Sequence, residues 1–394
     1  EFGARGNNEL RLPTTQHSIG GLYSVISGYV FGNMDDAGKL MGLAPYGNRA
    51  LYDTPLFRYS GDRVFVNEDA LKHLTQPSKG YDDFKTRFKY FADIAAWAQR
   101  EVEEAILYTF KTRLKHNYHP NLCYAGGVAL NAVANARLLK EGIVENLYIQ
   151  PAAADNGLSI GCAYYGWLEV LKKEKQQHIG STYFGKSYPE EEAQNAINKY
   201  TAIFKVSGIN IIHPDNVAAQ TAQYLAKGKI VAWYQNGAEF GPRALGNRSI
   251  LADPGLPEVQ AFINREIKFR EDFRPFAPSV LAEDVTKYFR YAYESPYMIL
   301  VDEVLPEYRE LLPGVTHADN SARVQTVTRS MNPEYYALLQ AFKAESGIGI
   351  LLNTSFNKRR QPIVETPEQA IELFLETALD ILVIGNLVLQ KKDV

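Results

Sequence analysis

Apolar side chains recur at helical spacing along several parts of the chain. The clearest pattern covers residues 93–114, where an apolar position returns every three or four residues and Asp93 stands where a helix N-cap is expected. Shorter segments with the same periodicity predict further helices at 21–31, 130–140, 158–171, 189–200 and 217–227. Helices are therefore expected in both halves of the chain.

Short apolar runs bounded by glycine, proline or polar residues predict strands. They cover residues 121–125, 146–150, 229–234 and 347–352, and two more lie within 380–391 on either side of Gly385 and Asn386. Strands and helices alternate between 121 and 171, which favours an α/β fold. The polar stretch 172–180 predicts a linker. We therefore expect one domain at 1–180 and a second at 181–394.

Composition narrows the class of protein. The chain has 394 residues, which favours two domains, and its net charge of −3 gives no reason to expect a nucleic-acid or membrane partner. No apolar run reaches the roughly 18 residues that a membrane span needs, and no signal peptide is recognisable. Two cysteines, Cys123 and Cys162, do not make a disulfide framework, so a cytoplasmic location is expected.

Two glycine-containing segments stand at predicted strand-to-helix junctions. In the first, Gly126 and Gly127 would let a phosphate approach the main chain at a helix start, although on these residues alone a tight turn packed against the sheet is the simpler explanation. In the second, Asp155 precedes Asn156 and Gly157 and could either ligate a metal or cap the next helix.

Cationic side chains cluster in the second half of the chain. Arg243 and Arg248 follow a predicted strand among glycines, where guanidinium groups could bind phosphate or form a solvated loop. If Lys268 and Arg270 lie on a strand, their side chains share one face and could bind an anion between them. The alternative is that they belong to a charged edge strand. Arg323 could reach the same anion.

Polar residues also follow the strand at 347–352. Hydroxyl and amide groups stand close together in the segment that contains Asn353, Thr354, Ser355 and Asn357. They could contact a phosphate or a ribose, or the segment could be a simple turn. A catalytic role and an ordinary hydrogen-bonded role remain equally open for His317.

Several motifs together indicate a family. They occupy residues 17–20, 41–47, 126–131, 155–157, 239–249, 273–278 and 353–357. In this order they resemble the NodU/CmcH-type O-carbamoyltransferases, and the resemblance extends from about residue 15 to residue 390. The block at 239–249 is the most specific because of its length.

The resemblance implies an α/β architecture in which the C-terminal lobe of an actin-like ATPase fold, at 1–180, precedes a YrdC-like domain at 181–394. YrdC-like domains carry a KxR…SxN signature, which Lys268, Arg270, Ser355 and Asn357 match. The implied enzyme forms carbamoyl-adenylate from carbamoyl phosphate and ATP, and then transfers the carbamoyl group to a hydroxyl of a small-molecule or sugar acceptor.

The resemblance also implies roles for individual residues. The catalytic set would comprise Lys268, Arg270, Ser355, Asn357, Arg243, Arg248 and Arg323. The nucleotide-binding set would comprise Gly126, Gly127, Asn131, Asn156, Gly157, Asn353 and Thr354. Asp155 would ligate Fe(II) or another divalent metal in the actin-like domain, and Mg²⁺ would accompany ATP.

The sequence departs from the family in one respect. The HxxxH metal motif of the first actin-like lobe is absent, so we expect Asp155 to lack its histidine partners and the metal to be bound poorly unless a partner chain supplies that lobe. Two alternatives to the whole enzyme follow. One is a truncated or non-catalytic nucleotide-binding fragment, and the other is a relative that makes carbamoyl- or threonylcarbamoyl-adenylate for protein maturation or tRNA modification.

Overall fold

A computed structural model describes residues 18–72, 74–176 and 180–392. The chain divides into two compact units, of which the first ends at Ala154 and the second begins at Asp155. This division falls earlier than the domain boundary expected near residue 180, which stays a prediction. In the described part of the chain, no helix combines the length and the apolar character needed to cross a membrane.

The first unit contains helices and two small sheets. The helices are α1 (Ile19–Phe31), α2 (Ala37–Leu43), α3 (Glu68–Leu71), α4 (Tyr81–Thr86), α5 (Phe88–Leu114) and α6 (Ala132–Lys140). The strands are β1 (Phe57–Ser60), β2 (Arg63–Val66), β3 (Asn121–Cys123) and β4 (Asn146–Tyr148). The first two strands pair antiparallel, and the other two pair parallel.

Helix α5 forms the centre of the first unit. It begins at Phe88, so the prediction that Asp93 caps it is wrong. Asp93 lies inside the helix, where its carboxylate accepts hydrogen bonds from the main chain of Asn48 at 2.7 Å and from Lys89 Nζ at 2.6 Å. The prediction that a helix ends before Gly32 is confirmed, because this glycine has a φ of 72° as the helix C-cap.

The second unit is larger. Its helices are α7 (Leu158–Tyr165), α8 (Glu190–Lys199), α9 (Thr201–Ser207), α10 (Val217–Ala226), α11 (Val259–Phe262), α12 (Val285–Tyr288), α13 (Pro333–Ser346) and α14 (Pro367–Glu376). Its strands are β5 (Ile209–Ile212), β6 (Val231–Tyr234), β7 (Arg248–Ala252), β8 (Ala277–Leu281), β9 (Val301–Glu303), β10 (Ser321–Arg323), β11 (Gln325–Val327), β12 (Ile350–Ser355), β13 (Ile381–Ile384) and β14 (Leu387–Lys391).

Eight of these strands form one mixed sheet in the order β11-β8-β12-β7-β6-β13-β14-β5. Side chains of successive residues point to opposite faces of a strand. Val231 and Trp233 accordingly pack in one core with helices α10 and α13, whereas Ala232 and Tyr234 pack in the other core with α8 and α14. The mixed α/β class is confirmed, while the actin-like and YrdC-like assignments stay predictions.

The sheet brings four connections to one end. Strand β12 runs antiparallel to both β7 and β8, so its last residues lie beside the first residues of those strands. Ser355 is opposite Ser249, and Asn353 is opposite Ala277. Strand β11 runs parallel to β8 and begins at the same end. The segments before β7, β8 and β11 and the segment after β12 therefore converge there.

Gly246 tests the packing at this end of the sheet. It has a φ of 108°, and a Cβ atom there would lie 2.2 Å from a ring carbon of the buried Tyr335. We expect Gly246→Ala to cost more than about 3 kcal/mol, because steric overlap adds to the left-handed conformation. In calorimetry this lowers the Tm of the second unit by roughly 6 °C or more.

Gly347→Ala provides the matched control. Gly347 also has a positive φ, 79°, but no atom lies within 4 Å of the added Cβ. Its cost is then the conformational one alone, about 1 kcal/mol. Equal Tm losses in the two variants would show that the contact with Tyr335 does not matter.

Candidate anion-binding site

Four arginines meet at the end of the sheet where the connections converge. Burial, followed by the charge of Arg274, lowers the pKa of Arg243 to about 10. Burial and then the other three guanidiniums lower the pKa of Arg323 well below its usual value. The pKa of Arg270 is also lowered well below its usual value, by burial and by the charges of Arg274 and Arg243, while Glu271 raises it. We call these four residues the arginine cluster.

Two members of the cluster have no protein partner in the described part of the chain. The guanidinium groups of Arg243 and Arg323 make no hydrogen bond or ion pair with any described residue, and Nε of Arg323 is buried. Arg274 lies 3.7 Å from the carboxylate of Glu271, which is also 3.3 Å from Arg359. Positive charge is thus in excess, and an anion would offset the repulsion.

The cluster contains Arg274, which sequence reasoning did not select. Arg274 lies in the same cationic segment as Lys268 and Arg270, and that concentration of charge was the available signal.

Arg270 is held in place by a hydrogen bond of 2.6 Å from its Nε to Asn264 Oδ1. Its guanidinium also lies 4.7 Å from the ring centroid of Phe276.

The prediction that Lys268 and Arg270 lie on a strand is wrong. Lys268 follows a π-helical turn at Ile263–Ile267, and Phe269 has a φ of 49°. The two cations therefore do not occupy alternate positions of an extended chain. The main-chain N–H groups of Lys268 and Arg270 instead bond back to the carbonyl oxygens of Ile263 and Asn264, at 2.8 and 2.9 Å.

Lys268 is buried and bonded to the far end of strand β12. Its Nζ lies 2.6 Å from the carbonyl oxygen of Ser355 and 2.8 Å from that of Asn357. The two side-chain oxygens, Ser355 Oγ and Asn357 Oδ1, lie at 3.3 and 2.5 Å. The structure thus brings together three members of the KxR…SxN signature, whose catalytic roles stay predictions.

The charge of Lys268 is under opposing influences. Burial lowers its pKa well below the usual value, and Arg270 and Arg274 lower it further. Four oxygens surround Nζ, however, and an ammonium group has three protons to donate where a neutral amine has two. These acceptors favour the charged form.

Arg248 has a different environment from the cluster. It is buried, and its terminal nitrogens donate to the main-chain oxygens of Gln235, Asn236 and Asn247. Its guanidinium carbon lies 3.6 Å from the ring centroid of Tyr234. These contacts fix the segment before strand β7, and the predicted role of Arg248 on phosphate stays a prediction.

Glu239 organises the same segment. Its Oε1 accepts from the main-chain N–H groups of Leu245 and Asn247, each at 2.7 Å, and from that of Arg248 at 3.2 Å. A carboxylate that accepts three main-chain N–H groups holds a loop in one conformation. Sequence reasoning missed this residue, although it stands in the most specific family block.

Asn353 and Thr354 occupy the last part of strand β12. Asn353 is buried, and its Nδ2 donates to Ser279 Oγ and to Gln325 Oε1, both at 3.0 Å. Its amide nitrogen therefore links three strands. Thr354 is partly exposed and pairs with Ile250 in the sheet. Nucleotide binding by the two residues stays a prediction.

His317 lies beside the arginine cluster. Burial lowers the pKa of His317 to about 4, so its ring is neutral near pH 7. The carboxylate of Asp319 and the main chain of Phe276 raise this pKa, and the charge of Arg323 lowers it. Its Nδ1 lies 3.1 Å from Ser321 Oγ, which donates to Asp319 at 2.7 Å. The hydrogen-bonded interpretation is confirmed, and the catalytic one stays a prediction.

The glycine segment of the first unit is exposed. Gly126, with a φ of 109°, donates its N–H to the carbonyl of Ala153, and no atom lies within 4 Å of a Cβ added at Gly126 or Gly127. Asn131 is the N-cap of helix α6 and exchanges two hydrogen bonds with Gln99. The amide of Asn131 is thus occupied by protein groups, and its predicted contact with a nucleotide stays a prediction.

Asp155 and Asn156 are exposed, and they form a single helical turn with Gly157 before helix α7. The alternative that Asp155 caps α7 is wrong, because the N-cap is Gly157 and no side chain caps the helix. Across residues 18–72, 74–176 and 180–392, no three His, Cys, Asp or Glu side chains group as metal ligands. The described residues alone therefore do not fit the implied iron centre. His17 lies outside them.

Comparison with known proteins establishes the family. Residues 4–164 match the family described as carbamoyltransferase N-terminus, and residues 222–391 match the one described as carbamoyltransferase C-terminus. The chain is 40% identical to the uncharacterized protein sll1178 of Synechocystis sp., an alignment that covers 95% of this chain and 67% of the relative. This protein therefore belongs to the carbamoyltransferase family.

Other relatives carry functional names. The chain is 35% identical to nodulation protein NolO of Bradyrhizobium diazoefficiens, over 95% of this chain and 69% of that protein. It is 30% identical to 3'-hydroxymethylcephem-O-carbamoyltransferase of Amycolatopsis lactamdurans, over 91% of this chain and 66% of that enzyme. The chain thus spans about two thirds of the length of these relatives.

Among solved structures, full-length HypF in its phosphate- and nucleotide-bound form gives a TM-score of 0.29 at 18% identity. The match covers 47% of this chain and 22% of that one.

The contacts of Glu239 generate a first test of the site. We expect Glu239→Ala to speed hydrogen exchange of the Leu245, Asn247 and Arg248 amides by roughly ten- to hundredfold. The reason is that a hydrogen bond to a charged acceptor contributes about 1.5–3 kcal/mol. Glu239→Gln retains an acceptor oxygen and should show a smaller increase. Unchanged exchange in the alanine variant would contradict the assigned role.

The unpaired arginines generate a second test. Saturating inorganic pyrophosphate should raise the Tm of the native chain by several degrees, since it binds the folded site. Arg323→Met should leave the anion-free Tm unchanged or higher, because it removes repulsion, and should reduce the pyrophosphate shift by at least half.

Arg290→Met is the matched control, since Arg290 is half-exposed and paired with Glu303 at 3.1 Å. Its pyrophosphate shift should equal that of the native chain. A lower anion-free Tm for Arg323→Met together with an undiminished shift would show that the cluster is not the anion site.

Proposed function

We propose that the second unit binds carbamoyl phosphate and ATP and forms carbamoyl-adenylate. We further propose that the carbamoyl group is then transferred to a hydroxyl of a small-molecule acceptor. The observation that supports adenylate formation most directly is the arginine cluster, where two guanidiniums, those of Arg243 and Arg323, have no described partner. Phosphate esters are the anions that several converging guanidiniums suit best.

The proposed reaction has two chemical steps. Water and carbamoyl phosphate first give carbamate and inorganic phosphate. A carbamate oxygen then attacks the α-phosphorus of ATP, the bond from that phosphorus to the bridging oxygen breaks, and pyrophosphate leaves. Negative charge accumulates on the phosphate oxygens in both steps. Guanidiniums held in advance around that position lower the barrier without having to reorganise.

The residues of the site divide this work. Arg243, Arg323 and Arg274 bind the phosphate oxygens. Arg270, fixed by Asn264 and Phe276, supplies a further cation at a set position. Lys268 holds the main chain of Ser355 and Asn357, which keeps the end of strand β12 against the cluster.

The acceptor is proposed from the relatives. One relative acts, by its name, on the hydroxyl of a hydroxymethylcephem, and others are nodulation proteins. These names support a small molecule with a hydroxyl group as the acceptor class. The described residues provide no metal-ligand group for the transfer step, so we assign none of its residues.

ATP–pyrophosphate exchange tests adenylate formation. With MgATP and labelled pyrophosphate, we expect exchange that depends on carbamoyl phosphate. Arg323→Met should reduce its rate by about 100-fold or more, because it removes a preorganised group that stabilises the developing charge. Arg290→Met, outside the cluster, should exchange at the native rate.

Two results would overturn the proposal. Exchange that proceeds equally without carbamoyl phosphate would mean that another acid is adenylated. A folded chain that binds ATP without exchange would instead support the non-catalytic nucleotide-binding alternative.

A further inference from the structure

Phe269 lies between the two cations Lys268 and Arg270, and its side chain is 49% exposed. Two other phenylalanines stand in the same segment, Phe273 and Phe276, and both are buried. Of these three aromatic side chains, only the one flanked by both cations faces solvent. Core packing therefore explains the other two and does not explain Phe269.

The main chain at Phe269 is also unusual. Its φ is 49°, in the left-handed region that a bulky side chain rarely adopts. Both neighbours are fixed by main-chain hydrogen bonds: Lys268 donates to Ile263 at 2.8 Å, and Arg270 donates to Asn264 at 2.9 Å. The surrounding structure thus imposes the conformation. Strain that is maintained in this way is concentrated at binding sites.

We propose that Phe269 is the stacking surface for the base of the nucleotide. This inference rests on the proposed function, because it takes ATP as a ligand of the arginine cluster. Arg270, next to Phe269, belongs to the arginine cluster that attracts the phosphates, and a nucleotide also has a planar base within a few bonds of them. An exposed aromatic ring beside a phosphate site offers that base a matching π face.

The chemistry of stacking makes the proposal specific. Every base has a π face, so the ring recognises a nucleoside triphosphate as a class and does not distinguish adenine from guanine. Inorganic triphosphate has the same charge groups but no base. Phe269 should therefore contribute to binding of ATP and GTP and not to binding of triphosphate.

Titration calorimetry on the full chain tests this difference. We expect Phe269→Ala to weaken ATP and GTP by about tenfold, in line with the usual effect of losing a base-stacking ring, and to leave triphosphate binding within about twofold of native. Phe269→Trp keeps an aromatic ring at this position and should bind ATP with native affinity. The fluorescence of the added indole should be quenched when ATP binds.

Two further variants separate stacking from other effects. Phe269→Gly removes the ring and relaxes the left-handed backbone, so it should weaken ATP as Phe269→Ala does while folding at least as stably. Phe262→Ala removes another exposed phenylalanine, 37% exposed on helix α11, and should bind ATP as the native chain does.

The outcomes are distinguishable. Native affinity for ATP in both the alanine and glycine variants overturns the stacking role. Equal weakening of ATP and triphosphate also overturns it, because the ring would then only shape the phosphate site. Failure of the native chain itself to bind any nucleoside triphosphate overturns the proposed function, and the role of Phe269 with it.

Discussion

Repulsion among partly buried guanidiniums is the constraint on which the second unit depends. Each of Arg243, Arg270 and Arg323 has its pKa lowered by burial and by the other arginines. Such an arrangement costs free energy when no anion is bound, and the carboxylate of Glu271 lies within ion-pair distance of Arg274. The eight-stranded sheet holds these charges together, and the repulsion between them is relieved when an anion binds.

The charges at this end of the sheet divide into two kinds. Arg248, Lys268 and Glu239 are bonded to main-chain groups, and they fix the conformation of the segments around them. Lys268 bonds to Ser355, which lies 87 positions further along the sequence. The guanidinium groups of Arg243 and Arg323 are not bonded to any described residue and remain available to a ligand. Apart from Glu239, both kinds are arginine or lysine, so only the structure separates them.

Periodicity predicted six of the helices and six of the strands, including the strands on either side of Gly385 and the helix before Gly32, but not helices α13 and α14 or strands β7 and β8. The start of helix α5 was placed too late because Phe88 and Phe91 extend its apolar face toward the N-terminus. For the site, the KxR…SxN resemblance correctly grouped Lys268 with Ser355 and Asn357, although the strand expected at Lys268 is a π-helical turn. Arg274 and Glu239 were not selected, although the concentration of charge around Arg274 and the family block around Glu239 were available signals, because their contacts become visible only in the fold.

The strand order also bears on how the chain is made. Strand β5, the first strand of the large sheet to be synthesised, pairs only with β14, the last strand of that sheet. Central strand β12 likewise appears after β7 and β8, the two strands that it joins. The sheet therefore cannot be completed until β14 has been synthesised, and its apolar strands have to be kept from aggregating until then. A nascent chain with this order is a natural client for chaperones.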